Sequence, residues 1–400
     1  MALTGRGRPA VTLGMATRRI GILTGGGDVP GLNAVLKSVT YRSSAQNIGV
    51  VGIRRGWEGL THVNLDDPAS EKHYILPLDR ENTRDIENRG GTILHSSRTN
   101  PSKMKSLPEF LQASSFPTDG KTWDVTSQVV KNLERLGIDA LIVIGGDDTL
   151  SFAAHLDSLG VPIIGVPKTM DNDVQGTEYC IGFSTAITRA MDAIERQRTT
   201  VESHERIGVF RVFGRDAGHT ALYTAFVTSI RCAIPEYKFS LDKMMELLVN
   251  DKRSDPNSYA LVVLSEGASW EGYEVQQYGQ PDAFGHRKKA SVAEALASEI
   301  TRHTRAETIA SDLTYDLRSG SPDFMDKLVS SVMGTMAFEA IVAGRSGVMA
   351  SVQEGRYAMV PIPDPKLGPR QVDVATMYNI QRYRPNYEQK LGLPVFLSKV

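Results

Sequence analysis

Residues 167–173 place two carboxylates and one ammonium group on a single turn, supplied by Asp171, Asp173 and Lys168. The turn follows the apolar run 161–166, a pattern that predicts a buried parallel strand. In open α/β sheets, functional groups collect at the carboxyl ends of such strands. Because a turn with this charge costs solvation free energy unless something polar binds it, we predict a reaction centre here. A solvated Asx turn is the alternative interpretation.

Two glycine-rich turns follow apolar strands in the same way. Residues 25–28 come after a predicted strand at 19–24, and residues 145–149 come after a predicted strand at 139–144. Glycine lets backbone N–H groups approach an anion closely, and the following helix adds the positive end of its dipole. Together with the acidic turn, they supply anion-binding backbone, a metal-capable carboxylate at Asp147 and a base. Phosphoryl transfer requires these parts.

The elements that must position these turns alternate along the chain. Further strands are predicted at 48–53, 205–212 and 259–264. One helix is predicted to begin near residue 30, and another follows the 145–149 turn and ends near residue 159. The other predicted helices are 122–137, 183–203, 216–231, 290–304 and 322–344. This βαβα rhythm predicts an α/β fold with parallel-rich sheets flanked by helices. Long surface excursions are expected at 61–82 and 101–121, and a mobile loop at 270–289.

Length and composition narrow the class of protein. A chain of 400 residues exceeds what one hydrophobic core supports, so two lobes are expected. The 45 Lys and Arg residues nearly balance the 46 Asp and Glu residues, which argues against a nucleic-acid partner. No apolar run approaches the roughly 20 residues that span a bilayer, so no membrane contact is expected. Cys180 and Cys232 are expected to be reduced structural thiols in a cytoplasmic protein.

Six segments resemble motifs of the phosphofructokinase family, in order and spacing, over about residues 18–345. They are residues 23–33, 90–98, 144–149, 167–173, 213–218 and 265–268. The resemblance implies two Rossmann-like lobes with the active site in the cleft between them. The expected division is a disordered tail at 1–17, a phosphoryl-donor lobe at 18–182 plus 318–368, a smaller sugar-phosphate lobe at 183–317, and a C-terminal extension at 369–400.

The resemblance also implies roles for individual residues. On the donor side, Asp147 holds Mg²⁺, Arg98 steadies the transferring group, and the donor lies against Gly26, Gly27, Asp148 and Thr149. At the turn, Asp171 accepts the proton of the sugar 1-hydroxyl, Asp173 assists at the metal, and Lys168 lies beside the donor. Fructose 6-phosphate is bound by Thr169, Arg206, Phe213, Gly214, Arg215, Glu266, Tyr315 and Arg318. Arg206 reaches in from a neighbouring subunit, which implies a homodimer or homotetramer.

Two positions indicate the phosphoryl donor. Asp148 and Lys168 stand where ATP-using relatives have glycine. Two unit charges about 4 Å apart repel by roughly 4 kcal/mol at an effective dielectric of about 20, so a carboxylate at 148 disfavours a nucleotide. The ammonium at 168 favours a compact and highly charged donor. We therefore predict the pyrophosphate-dependent branch and a readily reversible reaction; an ATP-dependent 6-phosphofructokinase is the alternative.

Departures from the family pattern leave the sugar open. Ile309 stands where relatives usually carry arginine, and Tyr315 where they often carry histidine. Either Arg305 or another basic residue substitutes, or the 6-phosphate is bound more weakly. Another sugar phosphate such as sedoheptulose 7-phosphate is an alternative substrate. Phe213 replaces a methionine common in relatives, which reshapes the sugar pocket slightly. A non-catalytic subunit that senses sugar phosphates is a minor alternative, because Asp171 and Asp147 are both intact.

Overall fold

The computed structural model describes residues 19–273, 276–280 and 288–387. The α-helices are Leu32–Ala45 (α1), Trp57–His62 (α2), Pro68–Tyr74 (α3), Thr126–Arg135 (α4), Asp147–Ser158 (α5), Phe183–Ser203 (α6), His219–Thr228 (α7), Leu241–Ser254 (α8), Val292–Thr304 (α9), Phe324–Val342 (α10) and Val374–Met377 (α11). The strands are Arg19–Thr24 (β1), Gly49–Ile53 (β2), Ile75–Leu78 (β3), Ala140–Gly145 (β4), Ile163–Pro167 (β5), Ile207–Val212 (β6), Arg231–Ala233 (β7), Ala260–Ser265 (β8), Gln277–Tyr278 (β9), Lys288–Lys289 (β10), Thr308–Asp312 (β11), Val348–Gln353 (β12), Arg356–Pro361 (β13), Tyr378–Asn379 (β14) and Arg384–Pro385 (β15).

Two parallel-rich sheets carry the fold. The larger sheet has the strand order β13-β12-β5-β4-β1-β2-β3, and the smaller has the order β11-β6-β8-β7. Pairing is parallel throughout the smaller sheet and in the centre of the larger one. Strands β3 and β13 close the two edges of the larger sheet in antiparallel pairs. The predicted α/β class with helix-flanked parallel sheets is confirmed.

Continuous burial explains why the central strands form where the apolar runs predict them. Every residue of β4, β5, β6 and β8 is buried, as expected for parallel strands covered by helices on both faces. The two cysteines are part of this interior. Cys180 lies in the core of the larger sheet and Cys232 lies on β7, and both are fully buried. Within the described part of the chain, no helix is long and apolar enough to cross a bilayer.

Several predicted boundaries are wrong. The helix expected at 216–231 begins at His219 and ends at Thr228, because Ser229 adopts a left-handed conformation and the chain then enters β7. The helix expected at 122–137 begins only at Thr126, whose N–H donates to the Asp124 carboxylate. The excursion expected at 61–82 contains α3 and β3.

Other elements have no counterpart among the predictions. Helix α8 and strands β11, β12 and β13 were not predicted. The mobile loop expected at 270–289 falls partly outside the described residues, and its described parts include the antiparallel pair β9 and β10. The tail expected at 1–17 and the last residues of the C-terminal extension also lie outside them. The predicted lobe boundaries stay a prediction, although β1–β5, β12 and β13 form one sheet and β6–β8 and β11 the other.

The described part of the C-terminal extension packs against the smaller sheet. Tyr378 and Tyr383 are nearly fully buried. The Tyr378 hydroxyl donates to the carbonyl of Cys232, and the N–H of Cys232 donates to the carbonyl of Tyr383. Tyr383 also packs edge-on against Phe239. The segment is therefore part of the folded core on this side of the molecule.

Candidate active site

The carboxyl ends of strands from both sheets line one cleft of about 750 Å³. The larger sheet contributes the turns after β1, β4 and β5, and the smaller sheet contributes the ends of β6, β8 and β11. All of the predicted site residues line this cleft except Arg206 and Gly214. Parallel strands bring these segments together because their carboxyl ends all meet at the same edge of a sheet.

The acidic turn lies at the centre of the cleft. The N–H of Asp171 donates to the Thr169 hydroxyl at 3.1 Å, and an Asp171 carboxylate oxygen accepts the N–H of Arg215 at 3.4 Å. Burial raises the pKa of Asp171 well above its usual range, and the neighbouring Asp173 and Glu266 raise it further. Burial also raises the pKa of Asp173, while a hydrogen bond from Thr169 opposes the shift. A carboxylate with a raised pKa is a stronger base than one in water.

The donor side combines a buried cation with a glycine turn. Lys168 is 5% exposed, and burial together with Arg98 lowers the pKa of its ammonium group to about 8. Gly26 has φ of 80°, and a Cβ atom there would lie 3.0 Å from Lys168 Nζ. Because the Gly26 N–H already donates to the carbonyl of Ser97, this glycine contributes its left-handed shape and the space for Lys168.

Asp147 and its neighbours fit a divalent cation. Burial raises the pKa of Asp147 to about 7, and the charges of Asp173 and Asp148 add to the shift. No cluster of three or more metal-ligating side chains occurs among the described residues. Mg²⁺ nevertheless suits such a place, because it commonly binds one or two carboxylates and takes its other ligands from substrate phosphates and water. A cation at Asp147 would relieve the repulsion among these carboxylates.

The sugar side is a cluster of arginines and carboxylates. Glu266 lies 3.6 Å from Arg215 and 3.5 Å from Arg211, and Arg211 also contacts Asp312 at 3.0 Å. The guanidinium of Arg318 lies over the ring of Tyr315, with its carbon 4.8 Å from the ring centre. Phe213 contributes an apolar wall below the same guanidinium, at 6.0 Å. These groups can bind both the hydroxyls and the phosphate of a sugar phosphate.

Two predicted sugar contacts lie elsewhere. Arg206 forms an ion pair with Glu307 at 2.8 Å and does not line the cleft, so its contact with a neighbouring subunit's site stays a prediction. Gly214 has φ of 123° and sits between two lining residues, where it bends the chain. Arg305 is exposed at the end of α9 and lies outside this chain's cleft, so its substitution for the arginine missing at position 309 stays a prediction.

Sequence reasoning missed several residues of the site. Asp28, the last residue of the first glycine-rich turn, has no predicted role, yet it pairs with Arg318 at 3.6 Å. Arg211 on β6 and Asp312 at the end of β11 lie directly opposite each other in the sheet register. An arginine within the otherwise apolar strand β6 was the available signal for Arg211. Residues 363–365, 368 and 369, which line one wall, have no local signal, because only the tertiary fold brings them to the cleft.

The fold and the cleft together define the class as an α/β enzyme that transfers phosphoryl groups. The chain belongs to the phosphofructokinase family, whose model matches residues 19–341. It is 37% identical over 351 residues to the pyrophosphate–fructose 6-phosphate 1-phosphotransferase of Dictyoglomus thermophilum, covering 87% of this chain and 93% of that protein. An ATP-dependent 6-phosphofructokinase 3 of Streptomyces coelicolor is 34% identical over 86% of this chain and 94% of its own length.

A solved structure shows the same fold. The pyrophosphate-dependent phosphofructokinase from Nitrosospira multiformis superposes with a TM-score of 0.74, covering 95% of this chain and 96% of that one at 17% identity. The predicted family is confirmed by the family match over residues 19–341. The resemblance to its pyrophosphate-dependent branch is confirmed by the name of the Dictyoglomus relative.

Proposed function

We propose that this enzyme transfers a phosphoryl group reversibly from pyrophosphate to the 1-hydroxyl of fructose 6-phosphate, giving fructose 1,6-bisphosphate and phosphate. The observation that carries the proposal is the meeting of Asp171 with the Arg215 loop across the cleft. It places a half-buried carboxylate that follows a strand of the larger sheet against a cationic loop of the smaller sheet. A base and a sugar-phosphate site therefore adjoin each other, with the donor turns on the other side of Asp171.

In the proposed mechanism, Asp171 accepts the proton of the attacking hydroxyl. General-base assistance of this kind contributes roughly 10²–10⁴-fold. The buried Lys168 and the exposed Arg98 both line the cleft and stabilise the charge that develops on the transferring group, since a cation already in place costs little reorganisation during the reaction. Mg²⁺, held by Asp147 with help from Asp173, would neutralise oxygens of the donor. Closure of the cleft would exclude water and so limit hydrolysis of the donor.

Pyrophosphate as the donor is supported by Lys168 and Asp148. The buried ammonium of Lys168 lies against the Gly26 turn. There it stabilises a compact polyanion electrostatically more than a donor whose charge is spread out. Asp148 is exposed at the start of α5 and lines the cleft, so it repels the further phosphate of a nucleotide. Trp57 is buried and its indole N–H donates to the Thr149 carbonyl. The ring therefore packs behind α5 and is not available to stack on an adenine base.

A coupled assay tests the function directly. The purified chain, Mg²⁺ and fructose 6-phosphate are combined with either pyrophosphate or ATP, and fructose 1,6-bisphosphate is measured. We expect turnover with pyrophosphate, and activity with ATP alone would contradict the proposed donor. Asp171→Asn should lower kcat by about 10²-fold or more while sugar binding, measured by calorimetry, stays nearly unchanged. Retained turnover in this variant would contradict the assignment of Asp171 as the general base.

The same assay with sedoheptulose 7-phosphate tests the sugar. Ile309 offers no phosphate contact, and the Asp312 carboxylate, 37% exposed, can accept a hydrogen bond from an additional hydroxyl. A higher kcat/KM for the seven-carbon sugar would reassign the substrate within the same reaction.

A homodimer or homotetramer, with Arg206 serving a neighbouring site, is proposed on the family resemblance. Size-exclusion chromatography with light scattering tests the assembly.

A further inference from the structure

The segment that follows β13 runs along the cleft and ends under the acidic turn. Residues 363–365, 368 and 369 line the cleft wall, and the next residue, Arg370, contacts the turn itself. Its backbone N–H donates to the carbonyl of Asp173 at 2.5 Å, and its side-chain Nη2 donates to the carbonyl of Asn172 at 2.7 Å. One residue from the C-terminal part of the chain therefore holds two consecutive carbonyls of the turn that carries both catalytic carboxylates.

The backbone of Asn172 has a conformation that few residue types accept. Its φ of 54° lies in the left-handed region, which costs roughly 1–2 kcal/mol for most residues other than glycine. Asparagine accepts this region more readily than most, and the contacts around it add to that preference. This conformation also turns the chain so that the residues on either side, Asp171 and Asp173, leave the turn in different directions. If position 172 relaxed to an ordinary conformation, at least one of the two carboxylates would move.

Hydrogen bonds occupy the side-chain amide and the backbone carbonyl of Asn172. Its side-chain Nδ2 donates to the carbonyl of Glu178 at 2.9 Å, and its Oδ1 accepts the N–H of Cys180 at 2.8 Å. Its backbone carbonyl accepts from Arg370. The side-chain bonds connect the turn to the segment just after it, whereas Arg370 is the contact from a distant part of the sequence. Asn172 is 3% exposed, so water does not readily replace these partners.

The residues after Arg370 continue to the other half of the cleft. The side-chain Nε2 of Gln371 donates to the carbonyl of Asp216 at 3.2 Å. The N–H of Val372 donates to the Glu236 carboxylate at 2.8 Å, and the same oxygen accepts the N–H of Gly218 at 2.9 Å. Asp216 and Gly218 belong to the loop that begins with the sugar-side arginine. Three consecutive residues thus connect the acidic turn to the sugar-side loop.

We propose that Arg370 is a positioning residue for phosphoryl transfer: it holds Asn172 in its left-handed conformation and so fixes the relative directions of Asp171 and Asp173. The inference rests on the proposed function for its kinetic consequence. It assigns a role in catalysis to a segment that contributes no reacting group. Because Arg370 does not touch the reacting atoms in this arrangement, its loss affects the chemical step more than substrate affinity.

Steady-state kinetics of Arg370→Met and Arg370→Lys provide the first test. A displacement of about 1 Å in a reacting group can cost about 10²-fold in rate, so we expect kcat to fall by about tenfold to a hundredfold in Arg370→Met. The KM values for sugar phosphate and pyrophosphate should change much less. Arg370→Lys keeps the charge and one donor and should lie between. Arg345→Met, at an exposed arginine elsewhere in the chain, is the matched control, and its kcat and KM values should equal those of the wild type.

A second readout does not depend on activity. Since the N–H of Cys180 donates to Asn172, a loosened turn should expose the Cys180 thiol. Pulse labelling with a maleimide, read by mass spectrometry, should show faster modification of Cys180 in Arg370→Met. The buried Cys232 provides the internal control and should label at the wild-type rate. Faster labelling of both thiols would indicate general destabilisation and would contradict a positioning role.

The outcomes separate the two hypotheses. A wild-type protein that is inactive with every donor refutes the proposed function, and the labelling of Cys180 then still decides whether Arg370 holds the turn. An active wild type with unchanged kcat in Arg370→Met overturns this inference and leaves the proposed function standing. A change confined to KM overturns it as well. Reduced kcat with selective labelling of Cys180 supports it.

Discussion

Replacing Asp148 with glycine should make the enzyme bind nucleotides better. Asp148 is the second residue of α5, is exposed, and lines the cleft beside Asp147. The substitution removes one negative charge and the side chain that occupies the space beyond the donor site. It also removes one of the like charges that raise the pKa of Asp147. Both effects favour a donor that carries an additional phosphate and a bound cation.

The exposure of Asp148 sets the size of the effect. Two unit charges about 4 Å apart repel by about 4 kcal/mol at an effective dielectric of about 20, but by only about 1 kcal/mol in bulk water. Because the side chain is exposed, the lower figure applies. A free-energy change of about 1 kcal/mol corresponds to roughly fivefold in affinity. We therefore expect the inhibition constants of ATP and ADP to fall by about fivefold.

Competition assays against pyrophosphate measure these constants in the wild type, Asp148→Gly and Asp148→Asn. The asparagine variant keeps most of the bulk and removes the charge, so it isolates the electrostatic part. That part should shrink in about 0.5 M salt, where screening acts over a few ångströms. Unchanged nucleotide binding in both variants would refute the charge argument. An equal gain for pyrophosphate and for ATP would refute the idea that Asp148 discriminates between them.

Three further changes test the site and its support. In the wild type, kcat/KM for pyrophosphate should fall as pH rises through the Lys168 pKa of about 8, because the ammonium group loses its charge. In Lys168→Arg the cation stays charged at high pH, so this fall should move to higher pH. An unchanged alkaline limb of the pH profile would contradict this expectation. Gly26→Ala, at φ of 80° and 3.0 Å from the lysine, should lower kcat/KM for pyrophosphate without changing the KM for the sugar phosphate, both read in the coupled assay. The buried Asp326 carboxylate accepts hydrogen bonds from several donors, and in Asp326→Asn an amide NH₂ would face some of these donors. The free energy of unfolding, measured with urea, should therefore fall by at least about 2 kcal/mol. The control Asp66→Asn, at an exposed position, should change it little.

The central strands and the acidic turn were predictable from sequence because their signals are local. Strand β4 is a continuous apolar run, and the charged residues follow β5 directly. The turn positions then follow from the rule for parallel strands. The edge strands and the ends of some helices were harder to predict. Strands β3 and β7 have four and three residues, too short for a period to emerge. Helix α7 ends at Thr228, before Ser229, without a glycine or proline.

Long-range contacts within the site were not predictable from sequence. Arg370 reaches Asn172 across 198 positions, and nothing near either residue indicates the contact. Asp28 meets Arg318 by the same kind of distant approach. Arg211 and Asp312 face each other only because β6 and β11 pair in one register. Pairing across a sheet depends on topology, which a local pattern does not fix.

The edge strand β3 has a consequence for how copies of the protein can associate. It has four residues, and Pro77 is its third, opposite Val51 of the neighbouring strand. Proline cannot donate a ladder hydrogen bond, and a short strand that contains it is a poor template for adding a further strand. Subunits that assemble would therefore have to meet through helices, loops or other strands. The proline also protects this margin of the sheet against aggregation by strand addition.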